Sequence, residues 1–130
     1  MQNKTLVQEI LAHAKEAHDY VVRMRRDFHK HPETGFAEIR TSGVIAEGLK
    51  QMGLQVQTDI AKTGVVATLQ VDGASSTVAF RADMDALPIT EENDLEFKSQ
   101  NEGVSHDCGH DANMEKLLGA AKLMVQLKAK

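Results

Sequence analysis

Between residues 6 and 28 the apolar side chains recur in three- and four-residue steps, at Val7, Ile10 or Leu11, Ala14, Ala17, Val21, Met24 and Phe28. That spacing lays one stripe along an α-helix. Glu9, Lys15, Glu16, Asp19 and Arg23 fall on the other positions, so a long amphipathic helix is predicted. It stops at His31-Pro32, because the residue before a proline is pushed out of helical dihedrals. A second stripe, Ile39, Ile45, Ala46, Leu49 and Met52, predicts a helix over residues 37–52 with Gly53 at its carboxy-terminal cap. The period then shortens to two. Leu54 and Val56 alternate with glutamines as a short strand. Residues 64–71 and 77–82 read as two strands joined into a hairpin by Asp72-Gly73-Ala74-Ser75-Ser76. Asp83, Asp85 and Pro88 break the pattern, and the polar run 90–103 has no period. It is predicted to be a long loop of the kind that often carries function. Met114, Leu117, Leu118, Ala121, Met124 and Val125 then mark a last helix from near Gly109 to the end.

Composition adds limits rather than direction. The chain has 130 residues, 42% apolar and 26% charged, with no repeat or low-complexity linker, which predicts one modest domain. A net charge of −4 gives no global attraction to nucleic acid. The basic run Arg23, Arg25 and Arg26 is interleaved with Asp19 and Asp27 and reads as a solvated helix face. No secretory leader opens the chain, and no window approaches the roughly 18 apolar residues of a membrane span. A soluble cytoplasmic protein is expected. With one cysteine no internal disulfide is possible, so Cys108 is a thiol: buried filler, nucleophile or metal ligand.

Chemistry concentrates in Ser105-His106-Asp107-Cys108-Gly109-His110-Asp111-Ala112-Asn113, where two imidazoles, a thiol and two carboxylates fall together. A thiolate and an imidazole two residues apart converge on one divalent cation if the backbone turns between them, and Gly109 permits that turn. The acidic neighbours can take the outer hydrogen bonds of the histidines. The same residues equally describe a helix start in which Asp107 or Asp111 caps free amides and Cys108 is filler. No second Cys or His pair lies at the spacing of a closed structural zinc site. Asp83 and Asp85 follow an apolar strand at i and i+2. There they either share a cation or a histidine, or end the strand as solvated acids with one paired to Arg81. His29 and His31, beside Pro32, read as helix-end residues facing the last carbonyls. His13 and His18 read as surface residues, and His106 as either a support of the site or a plain loop position.

Five segments in order resemble the amino-terminal part of the aminoacylase-like metallo-amidohydrolases, a group that includes hippurate hydrolases, N-acyl-amino-acid amidohydrolases and indole-acetyl-amino-acid hydrolases. They are Arg25-Arg26-Asp27-Phe28-His29-Lys30-His31-Pro32-Glu33, Lys62-Thr63-Gly64-Val65-Val66-Ala67, Arg81-Ala82-Asp83-Met84-Asp85-Ala86-Leu87-Pro88-Ile89, His106-Asp107-Cys108-Gly109-His110-Asp111 and Leu117-Leu118-Gly119-Ala120-Ala121. The resemblance implies an α/β catalytic domain of three layers, here partial and ordered helix, helix, strand, hairpin, loop, helix. It also implies a divalent metal pair (manganese, zinc, cobalt or nickel) and cleavage of the amide bond of an N-acyl amino acid or amino-acid conjugate. Cys108 and His110 inherit the role of metal ligands and Asp85 that of a catalytic aspartate supporting the site; Asp83, His106 and Asp111 are read from their place in the sequence as candidates to stand around the ligands. Two positions depart from the pattern: Asn113 stands where the family carries a histidine, and Asp107 where it carries a small residue.

The expectation is therefore that residues 1–130 form the amino-terminal portion of such a domain, without the dimerisation domain, carboxy-terminal half, general base or later ligands. Such a chain holds metal weakly or not at all and is inactive alone. The alternative is a noncatalytic oligomeric or metal-binding module derived from the fold, working as a homo-oligomer or with a complementing chain, without nucleic acid or membrane.

Overall fold

A computed structural model describes residues 2–128, with side chains placed over 5–128; the last two residues of the predicted terminal helix lie outside the described residues. Its elements are α1 (Gln2–Lys30), α2 (Ile39–Gln51), β1 (Gln55–Ile60), β2 (Gly64–Thr68) and α3 (His110–Lys128). The fold is mixed α/β, as expected, although among the described residues the sheet has only the two strands β1 and β2.

The three helices meet at Phe28, Ile45, Leu49, Met114, Leu118 and Ala121, which form the buried core. Tyr20 and Met24 of α1 and Leu54, Val56, Val65 and Ala67 of the hairpin pack against it half-buried. α1 and α3 approach closely because Gly119 has no side chain: a Cβ there would lie 2.7 Å from Cγ1 of Val21. The predicted stripe of α1 is covered only along its second half. Ala17 and Phe28 are buried, whereas Leu6, Val7, Ile10 and Leu11 remain exposed.

The start of α2 is capped from a distance. The Glu33 carboxylate accepts the Arg40 and Thr41 amides at 3.0 and 2.7 Å, satisfying donors that have no partner inside the helix. The Arg40 guanidinium returns the tie with paired bonds to Asp27 near the end of α1, at 3.0 and 2.8 Å. At the other end Gly53 takes φ +86°, as its predicted capping place requires. Its amide donates to the Lys50 carbonyl and that of Leu54 to the Leu49 carbonyl, a Schellman closure.

The hairpin is not where the sequence pattern placed it. β1 pairs antiparallel with β2, from Gln55 opposite Thr68 to Ile60 opposite Gly64, with an irregularity between Gln57 and Ile60. Residues 77–82 form no strand, and Val78 and Phe80 are 72% and 58% exposed. The shorter connection prevails: Ala61-Lys62-Thr63 reverses the chain with Ala61 and Lys62 at positive φ. Burial of Thr63, whose hydroxyl donates to Glu38 at 2.8 Å, anchors that turn to the base of α2. A three-residue closure needs less ordering of intervening chain than the five-residue one expected from residues 72–76.

After residue 82 the chain returns to the helices. The Ala86 amide donates to the Glu33 carbonyl at 2.8 Å, and Leu87 and Ser105 exchange backbone bonds of 2.9 and 3.0 Å. The Ser105 hydroxyl donates to the Ile89 carbonyl at 2.8 Å. Residues 90–103 thus form an irregular loop, as expected, pinned at its base. The pinning sets residues 105–110 beside residues 83–87.

Candidate metal centre

The site grows from the turn that starts α3. Gly109 adopts φ +83°, a conformation open to glycine, and its amide closes a turn onto the His106 carbonyl at 3.2 Å. Beyond it the Gly109 carbonyl accepts the Ala112 and Asn113 amides and the helix begins at His110. Cys108 and His110 therefore flank a fixed reversal, with Cys108 exposed.

His110 is oriented by Asp85. Its Nδ1 lies 2.8 Å from the Asp85 carbonyl oxygen and 3.0 Å from Asp85 Oδ1. Both are acceptors, so Nδ1 carries a proton, which in the neutral ring leaves Nε2 with a free lone pair. That is the tautomer a metal-binding imidazole takes when an outer acceptor holds its other nitrogen. Asp83 is not drawn into this arrangement. It is exposed and bound to Arg81, with Nη2 and Nε at 2.6 and 3.1 Å from Oδ1. The two carboxylates of the Asp-Met-Asp segment thus part, one to a histidine and one to its arginine neighbour.

His106 is buried beneath the turn, and neither ring nitrogen has a hydrogen-bond partner. Burial pushes its pKa below the ordinary imidazole value. The Asp111 charge opposes that shift, and the neighbouring His29 and His110 add to it. Asp111 is wholly buried and accepts the Ala112 amide at 2.8 Å through Oδ1. Its other oxygen receives His29 Nδ1 at 2.6 Å and Arg25 Nε at 3.0 Å.

This last cluster was not visible in the sequence. His29 is buried, and its Nε2 meets Glu91 Oε1 at 3.1 Å while the second Glu91 oxygen accepts the Ser99 amide at 2.8 Å. Burial alone would raise the Glu91 pKa, but the Ser99 amide and His29 outweigh it and hold the carboxyl below its usual range. Phe97 lies edge-on to His29, with the Arg25 and Arg26 guanidinium carbons each 5.1 Å from its ring centre. Arg25 thus departs from the solvated face expected of it, whereas Arg23 and Arg26 are exposed as expected. Of the histidines read as helix-end residues, His31 does bond the Asp27 carbonyl, at 2.8 Å, whereas His29 turns inward. The available signal was the i, i+4 placement of Arg25 and His29, which sets two donors on one helix face.

Cys108 and His110 supply a sulfur and an imidazole nitrogen, donor types that suit a soft or borderline divalent cation. Among the described residues no group of three or more His, Cys, Asp or Glu side chains could hold a metal ion. The residues present thus fit a cation as two of the three or four protein ligands such a site takes. The hollow along α1 lined by Leu11, Ala14, Lys15 and His18 includes neither Cys108 nor His110.

A mixed α/β unit that presents a Cys-Gly-His turn, with its histidine oriented by an aspartate, has the make-up of a metallohydrolase domain. Residues 79–130 match the profile of peptidase family M20/M25/M40. Thermostable carboxypeptidase 2 of Saccharolobus solfataricus is 42% identical over 124 residues, 95% of this chain and 32% of that protein. The N-acyl-L-amino acid amidohydrolase of Geobacillus stearothermophilus is 44% identical over 121 residues, 93% of this chain and 33% of that protein. A dinuclear metal-binding peptidase of the M20 family from Bacillus subtilis superposes with a TM-score of 0.83 at 38% identity, over 88% of this chain and 32% of that one. The chain is thus similar over nearly its whole length to part of these amidohydrolases and peptidases, and residues 79–130 carry the M20-type profile. It spans about a third of the length of the relatives it matches.

Proposed function

We propose that Cys108 and His110 are two protein ligands of a divalent-metal site that serves hydrolysis of the amide bond in N-acyl amino acids. The observation that carries this reading is the Asp85 bond to His110 Nδ1, which turns Nε2 away from that partner, two residues from the exposed Cys108 thiol. Asp85 acts by orienting the imidazole, and Asp111 and His106 act from beneath the turn. A cation bound there, manganese, zinc, cobalt or nickel, would supply Lewis-acid polarisation of the scissile carbonyl. The substrate class follows from kinship with the N-acyl-L-amino acid amidohydrolase. Asn113, an amide, has no proton to exchange near neutral pH and takes no part as acid or base.

Two ligands bind a cation weakly, so turnover needs further ligands and a base from outside residues 1–130. A lone thiol suits a reducing compartment such as the cytoplasm, and no helix among the described residues is long and apolar enough to cross a membrane. The test is titration of the 130-residue chain with cobalt(II), followed by the thiolate-to-cobalt absorption. Weak binding that disappears in Cys108→Ser and falls in His110→Ala supports the reading, with no turnover of N-acetyl or N-benzoyl amino acids by the chain alone. Equal cobalt binding by a chain lacking both side chains would overturn it.

A further inference from the structure

We propose that His29 is a positioning residue: clamped between Glu91 and Asp111, it sets the rotation of the first turn of α3 and with it the directions of His110 and Cys108. The inference rests on the reading of those two residues as ligands, and it concerns what holds them rather than what they bind.

Consecutive residues of an α-helix point about 100° apart. His110 and Asp111 are consecutive, and each is tied to a different part of the chain. His110 is held by Asp85 on one side. Asp111 is held by His29 and Arg25 of α1 on the other. Two anchors at different angles fix the rotation of a helix start, whereas either alone leaves a hinge. The turn before them is held by its backbone, through Gly109 to His106 and Ser105 to Leu87, whereas the Cys108 side chain is exposed.

His29 is the keystone because both its ring nitrogens are committed. Nδ1 meets Asp111 at 2.6 Å and Nε2 meets Glu91 at 3.1 Å. Arg25 joins His29 on Asp111, with Nε at 3.0 Å from the same oxygen. Glu91 brings in the loop, since its second oxygen holds the Ser99 amide and Phe97 from the same loop covers His29. The loop is therefore part of the mounting of the Cys-Gly-His turn.

The experiment compares wild type, His29→Gln and Leu49→Ala, the last a core truncation on α2 that weakens the fold without touching the cluster. Long-range proton–nitrogen NMR on the labelled chain reads the His110 tautomer, and cobalt(II) titration reads affinity. We expect wild type and Leu49→Ala to show His110 as one tautomer protonated at Nδ1. His29→Gln should show a mixture, with cobalt affinity lower, though by less than the roughly 10–100-fold of removing a direct outer partner of a ligand. A folded His29→Gln chain with the wild-type tautomer overturns the proposal, as does a wild-type chain in which His110 is already a mixture. If wild type binds cobalt no better than Cys108→Ser, the metal reading fails, and the tautomer comparison still decides the role of His29. Should His29→Gln not fold, Glu91→Gln, which keeps an acceptor for Ser99, replaces it under the same criteria.

Discussion

Glu91 shows how a single side chain ties stability to pH. Its carboxyl is nearly inaccessible, a position that by itself favours the neutral acid, yet the Ser99 amide and His29 hold it below its ordinary value of 4.5. A carboxyl whose pKa is lower in the folded chain than in the unfolded one binds fewer protons when folded. Its contribution is therefore complete above about pH 4.5 and is lost as pH falls through the lower folded value. Urea midpoints should decline across that acid window in wild type and decline less in Glu91→Gln, which begins from a lower midpoint at neutral pH. Parallel pH profiles for the two chains would show that the Glu91 bonds do not contribute. The same residue marks where sequence reasoning ends. Cys108, Gly109 and His110 are adjacent, so their shared chemistry can be read in one glance along the chain. His29 draws its meaning from Glu91 and Asp111, 62 and 82 residues away, and no local pattern records such partners.

Helices were legible because their period is a property of neighbouring residues. The stripe through Met114, Leu118 and Ala121 is buried as expected, and the Gly53 cap forms where the pattern placed it. Strands were less so, because alternation identifies an extended segment without naming its partner. β2 was expected to pair forward with residues 77–82 and pairs backward with β1, through a turn whose Ala61 and Lys62 carry none of the usual turn signals. How closely the helices pack was also invisible, and Gly119 decides it. Gly119→Ala places a methyl 2.7 Å from Val21 Cγ1, well inside van der Waals contact, so α1 and α3 must separate or Val21 must move. The expected cost is about 1–3 kcal/mol, the range for overpacked cores, although alanine is the better helix former. Val21→Ala introduced beside it should restore part of that loss. A double-mutant cycle by urea denaturation that shows simple additivity would mean the two helices do not touch there.

At the scale of the whole molecule, the apolar surface is the feature that local order does not explain. Among the exposed apolar side chains are Leu6, Val7, Ile10 and Leu11 on α1, Val78 and Phe80 within residues 77–82, and Phe36 and Ile39. Residues 77–82 belong to no strand pair among the described residues and carry exposed apolar side chains, a combination that recruits another strand. A chain of net charge −4 has little self-repulsion to oppose such contact at physiological salt. The expected behaviour of the 130-residue chain is reversible association that grows with concentration and is seen as a rising sedimentation coefficient. Val78→Lys with Phe80→Lys should lower that association strongly, since both side chains are exposed and a pair of lysines blunts a sheet edge. The same substitutions should change the unfolding free energy of the monomer by no more than about 0.5 kcal/mol per site, the usual range for surface positions. Association unchanged by the lysine pair but abolished by Leu11→Lys would move the contact from residues 77–82 to α1. A single unchanging sedimentation coefficient for wild type from micromolar to millimolar concentration would mean that neither surface drives assembly.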